Sequence, residues 1–137
     1  MSTLNVGTIK SLSSSPPVFQ NSSGVEKGQL AKAWVNFDGT HGTSPYTIAN
    51  GGIRDSFNVS SVTDNATGKY TVSLTTAMSN SNYCVISSSH FYETIVSGNS
   101  RIAAANVLAT GSYQLTISYN GTNTQDAENV FSAVFGD

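Results

Sequence analysis

The feature that most limits what this chain can become is apolar–polar alternation over short runs, with turn signals between them. The clearest run is Tyr70-Thr71-Val72-Ser73-Leu74. Successive side chains of a strand point to opposite faces, so Tyr70, Val72 and Leu74 share one face and Thr71 and Ser73 the other. Tyr113, Leu115, Ile117 and Tyr119 alternate in the same way with Gln114, Thr116 and Ser118, and Ala33, Val35 and Phe37 with Trp34 and Asn36. Ile53, Phe57 and Val59 read as one apolar face interrupted at Asp55. Further strands are expected over Tyr83 to Ser89, Phe91 to Val96 and Asn129 to Phe135. Ile102 to Leu108 is ambiguous, because its three alanines also suit a helical turn. Between the runs stand Asp38 to Thr43, Asp64 to Gly68, Asn80 to Asn82, Ser97 to Ser100 and Asn120-Gly121. These are rich in residues that accept tight turns. Strands ~8–12 residues apart predict an all-β chain, an antiparallel β-sandwich or an open, jelly-roll-like barrel.

Composition agrees. Only 10% of residues are charged, against roughly 25% in an ordinary soluble domain. Ser (22), Thr (15), Asn (13) and Gly (12) supply 62 of the 137 residues, which suits strands and turns better than helices. The recurring aromatic and β-branched runs argue against disorder.

Residues 1–30 differ from residues 31–137. They hold a Ser-Ser-Ser-Pro-Pro run at Ser13 to Pro17, which favours an extended path. Leu4, Val6 and Ile9 are too few to build a core. The first segment is therefore read as an extended N-terminal attachment arm, held by its own domain, a sister chain or a larger assembly. The last strand is apolar on both faces, Val130/Val134 and Phe131/Ala133/Phe135. Such a strand sits centrally or lays one face on a partner. Trp34 lies opposite Ala33, Val35 and Phe37 and is expected to pack under the arm or against a sister chain, with sugar or protein binding as the alternative. The candidate assembly interface is thus Leu4, Val6, Ile9, Trp34, Val130, Phe131, Val134 and Phe135.

Nothing marks an enzyme active site. Activating a Ser or Thr nucleophile needs a base in reach, and the chain has two histidines, His41 and His90. Either could instead reach a symmetry axis and hold an ion. Asp38, Asp55 and Asp64 could converge on Ca²⁺ but lack EF-hand spacing. No catalytic residue, resident metal or cofactor is expected. The net charge of −2 and six scattered Lys and Arg provide no stripe for nucleic acid. No apolar run approaches the ~20 residues of a membrane span, and no signal peptide is seen. Cys84 is the single cysteine, so an intrachain disulfide is impossible and cytoplasmic synthesis is expected. Three sequon matches, at Asn58, Asn65 and Asn120, are expected by chance in so Asn-, Ser- and Thr-rich a chain.

The stretch from Gly28 to Leu74 resembles a sequence type of tailed bacteriophages, marine and cyanophage-type tail-fibre and small virion structural proteins. The resemblance is carried by Ala31-Lys32-Ala33-Trp34-Val35-Asn36-Phe37-Asp38-Gly39-Thr40, then by Ile53 to Asn65, Gly68 and Tyr70-Thr71-Val72. Thr75-Thr76-Ala77-Met78, Asn82-Tyr83 and the leader Ser2 to Ile9 also fit. The loop from His41 to Gly52 is longer than the pattern's compact turn, so loop properties do not carry over. The resemblance implies a non-enzymatic virion protein made in the host cytoplasm. Its implied form is a homotrimeric tail-fibre or tail-associated component, anchored by its arm to other virion proteins and facing a host surface glycan or protein. A capsid decoration protein and a glycan-binding or glycan-degrading module are the alternatives.

Overall fold

The computed structural model describes residues 19–24, 26–28, 30–90, 101–119 and 123–136. Leu4, Val6, Ile9, the Ser-Pro run at 13–17, the strand expected over 91–96 and the turn at 97–100 lie outside the described residues. The chain divides into two compact units, Met1–Leu30 and Ala31–Asp137. In the first, β1 (Phe19–Gln20) pairs antiparallel with β2 (Glu26–Gly28). Their turn is held where Gly24 N–H donates to Asn21 O (3.0 Å) and Ser23 N–H to Asn21 Oδ1 (3.1 Å).

The second unit is an antiparallel β-sandwich. One sheet has the order β4 (Ile53–Phe57), β3 (Ala33–Phe37), β11 (Asn129–Phe135), β7 (Cys84–His90). The other holds β5 (Val59–Ala66), β6 (Lys69–Leu74) and β9 (Ser112–Tyr119) in sequence, with β8 (Arg101–Ala109) and β10 (Asn123–Thr124) both paired to β9. The ambiguous 102–108 segment is therefore strand: its register against β9 places alanine after alanine opposite an alternating partner.

The inner faces are the predicted ones. Ala33, Val35, Phe37, Tyr70, Val72, Leu74, Tyr113, Leu115 and Ile117 are buried in one core. Burying each larger side chain contributes about 1.5–3 kcal/mol. Tyr113 and Ser132 share a 2.7 Å hydrogen bond that joins β9 of one sheet to β11 of the other. Ser87 Oγ donates to Ala103 O (2.9 Å), joining β7 to β8. The β5–β6 turn falls at Thr67-Gly68, where Gly68 takes φ +67° and a Cβ would meet Ile117 O and Gln125 N at 2.6 Å.

One expected face divides. Asn36 pairs with Asp55 but Phe37 pairs with Ile53, leaving Arg54 as an extra residue on β4. This bulge reverses the parity of the remaining β4 residues. Ile53 is buried, whereas Phe57 points outward with Asp55. Asn58 then turns the chain from β4 into β5 with φ +56°. Its amide donates to Lys32 O (3.0 Å) and Thr76 O (3.1 Å), and its Oδ1 accepts from Thr76 N–H (2.7 Å).

The loop from His41 to Gly52 is anchored. Tyr46 is fully buried, and its backbone exchanges both hydrogen bonds with Val62 on β5 (2.7 and 3.0 Å). Asn50 closes the loop, its Oδ1 accepting from Thr47 and Gly52 N–H and its amide donating to Pro45 O.

Candidate functional site

Two places in the second unit gather chemistry-bearing side chains. The first is a buried tyrosine–aspartate cluster where the loops meet the sheets. The Tyr70 hydroxyl donates toward Asp126 Oδ1 (2.6 Å) and Gly39 O (2.8 Å), one proton facing two acceptors. Asp126 Oδ1 also accepts from Gly68 N–H (2.6 Å). The Tyr46 hydroxyl donates to Asp64 Oδ2 (3.2 Å). A Cβ at Gly39 would lie 2.6 Å from Ala127 O and 2.7 Å from the Tyr70 oxygen, so only glycine fits there. Burial, then the facing carboxylates, pushes both hydroxyls well above the usual tyrosine range. They hold their protons and are spent on tying the 38–46 and 125–127 segments to β5 and β6. The two tyrosine rings are buried, while Asp64 and Asp126 are half-buried.

Asp38, Asp55 and Asp64, which could have converged on Ca²⁺, each have separate partners. Asp38 Oδ2 lies 3.5 Å from Arg54 Nη2, and Asp38 Oδ1 accepts from Thr40. Asp55 Oδ1 accepts from its neighbour Ser56 N–H, and Asp64 belongs to Tyr46. Among the described residues no group of three or more His, Cys, Asp or Glu is placed to hold a metal ion. His41 sets its ring edge against Tyr46 with centroids 5.6 Å apart, while His90 pairs with Asn129 at the end of β7.

The second place is the outer face of the four-stranded sheet. The register lines up Phe57, Trp34, Ala133 and Ile86 in one row across all four strands. Phe131 stands in the next row between Asn36 and Ser88, and Phe135 stands beside Cys84 in the row on the other side. Trp34 is 36% exposed, Phe131 40%, Phe57 53% and Ile86 61%. Aromatic side chains of ~150–250 Å² at those fractions, with Ile86, leave on the order of 400 Å² of apolar surface open, a size at which such patches are often functional. Asp55, Arg54, Asn36, Asp38, Ser88 and Lys32 give the face a polar margin.

Of the assembly residues expected from sequence, this face holds Trp34, Phe131 and Phe135. Val130 and Val134 lie on the opposite side of β11, fully buried in the chain's own core, and present no surface. The last strand is central between β3 and β7, with one face in the core and the other, carrying Phe131, open. Phe57 and Ile86 also belong to the face, and sequence patterning alone does not single them out. Ile86 adjoins Val85 in a run without alternation, and the bulge at Arg54 hides the side on which Phe57 lies. No family model, no curated protein and no solved structure matches this chain. The fold and the face together define an antiparallel β-sandwich with one apolar outer sheet surface.

Proposed function

We propose that this chain is a non-catalytic structural protein of a tailed-phage-type virion, a tail-fibre or tail-associated component made in the host cytoplasm. Residues 1–30 attach it, and the outer face of its four-stranded sheet joins it to a neighbouring protein. The carrying observation is the aromatic row: Phe57, Trp34 and Ile86 are open on a rigid sheet whose inner face is already filled. Two of these residues, Trp34 and Phe57, fall inside the segments that resemble virion proteins. The low charge and the use of the buried tyrosine hydroxyls in structural hydrogen bonds support a role in assembly over one in chemistry.

The test is location. Gold-labelled antibody against the chain is expected on the tail of intact particles. Label on the head shell would make it a capsid decoration protein, and unlabelled particles would end the virion reading. The flat aromatic platform also supports a second reading, since aromatic rings stack on sugar faces. Incubation with envelope glycan then separates the cases: binding without release of oligosaccharide marks a glycan-binding module, and release marks a depolymerase.

A further inference from the structure

We infer that the outer face of the four-stranded sheet takes a second copy of this chain. The two sheets stack face to face about a two-fold axis running across the strands, through the row that contains Trp34. The inference deepens the assembly reading above, rests on its choice of face, and puts a two-fold pair in place of the homotrimer that the resemblance implies.

Area favours a protein-sized occupant. A stable pair covers about 800 Å² on each partner, with an apolar centre and a polar rim. The open apolar surface supplies roughly half of that, and the margin of Asn36, Asp55, Ser88 and Lys32 supplies rim of the right kind. Sheets stacked in this way pack about 10 Å apart without a groove or an inserted loop.

Pattern limits the axis. An axis across the strands sets each strand over its own copy with its ends exchanged. Phe131 then lies over Phe135 of the partner subunit, and the Phe57–Trp34–Ala133–Ile86 row lies over itself. Polar Ser88 meets Cys84 of the partner subunit, and Asn36 meets Lys32 of the partner subunit. An axis along the strands between β3 and β11 would instead set Lys32 against Phe135 of the partner subunit and Asn36 against Phe131 of the partner subunit, polar on apolar, whereas one along β11 keeps like on like but carries Lys32 over Cys84 of the partner subunit.

Charge then selects the axis across the strands. Arg54 and Asp38 neutralise each other at 3.5 Å. That leaves Asp55 uncompensated on one side of the Trp34 row and Lys32 on the other. Among the described residues neither has an ion-pair partner. Exchanging the ends brings Lys32 toward Asp55 of the partner subunit, the complementarity that fixes register in an interface.

The experiment uses the full chain. Trp34 is its one tryptophan, so emission reports the centre of the face directly. Sedimentation across a concentration series should give a mass rising to about twice 14.3 kDa, with a blue shift of Trp34 emission that follows the mass. Trp34→Arg removes a central aromatic and should weaken the pair at least ~30-fold. Phe131→Ser is the second variant, and thermal melting checks that each remains folded. Lys32→Glu and Asp55→Lys should each weaken the pair about two- to five-fold, and the double variant should recover most of the loss. That recovery is specific to a second copy in this register.

A monomer with exposed, concentration-independent emission overturns the inference. So does a monomer whose emission is already blue-shifted, which would mean the chain covers its own face. A mass of three copies, indifference to both face variants, or a double variant no better than the singles overturns it too. A monomer still labelled on particles would remove this inference and leave the virion reading standing; a pair absent from particles would do the reverse.

Discussion

On the five-stranded sheet, the outward neighbours of Val62, Val72 and Leu115 are Thr63, Thr71 and Gln114. On the four-stranded sheet, the outward neighbours of Val35 and Val134 are Trp34 and Ala133, with Phe57 and Ile86 beside them. Both sheets fill one core, and both do so with the same alternation. They differ only outside. Thr71 accepts from the Asn65 amide (2.8 Å) and the Ser60 hydroxyl donates to Ser73 O (3.1 Å), so the first outer face is a carpet of small polar groups that suits water. That face shows what folding alone asks of an outer surface: β-compatible, polar and wet. The aromatic face therefore answers to something other than the fold.

The contrast between inside and outside is the largest effect to test. Leu115→Ala should cost about 2–5 kcal/mol in denaturant unfolding. Its outward neighbour changed by Gln114→Ala should stay within about 0.5 kcal/mol. Similar losses at both would mean that β9 is not one-sided.

The tie between the sheets comes next. Burial raises the Tyr113 hydroxyl to about 12, partly offset by its bond to Ser132. An unfolded tyrosine ionises near 10, so the contribution of Tyr113 is fully present below pH 10 and is lost between pH 10 and about 12. Stability should fall through that window, and Tyr113→Phe should make the fall shallower by about 1.4 kcal/mol per pH unit. An unchanged slope in the variant would show that Tyr113 ionises as freely in the fold as outside it.

The smallest effects compare the two outer faces directly. Phe57→Ser and Thr71→Val should each shift stability by no more than about 1 kcal/mol. Only Phe57→Ser should reduce the binding of a hydrophobic dye such as ANS to the folded chain. Equal dye responses from both variants would dissolve the distinction between the faces.

Legibility in the sequence varies from residue to residue, for physical reasons. Tyr70 to Leu74, Tyr113 to Ile117 and Ala33 to Phe37 announce their inner faces because nothing disturbs a period of two. Ile53 and Phe57 do not, since one extra residue at Arg54 moves Phe57 to the other side. Alanine favours helix by propensity, and pairing with β9 overrides that preference in β8. Tyr46 stands alone in a Gly-, Ser- and Thr-rich loop, with no periodicity to mark it as core. The candidate face is the hardest to see, because its members come from four separate stretches of chain. Trp34 and Phe131 are visible as unspent aromatics, but only strand register sets them beside Phe57 and Ile86.

The pairing of Tyr46 with Val62 has a consequence for how such chains can accumulate. Val62 lies within β5, and both of its backbone groups are taken by the loop. An open strand margin invites another strand, and then another, without a natural end. Here that margin is occupied at its middle by the molecule's own backbone. Joining through a sheet face saturates once two faces have met, and the β5 margin is closed at its middle to a further strand.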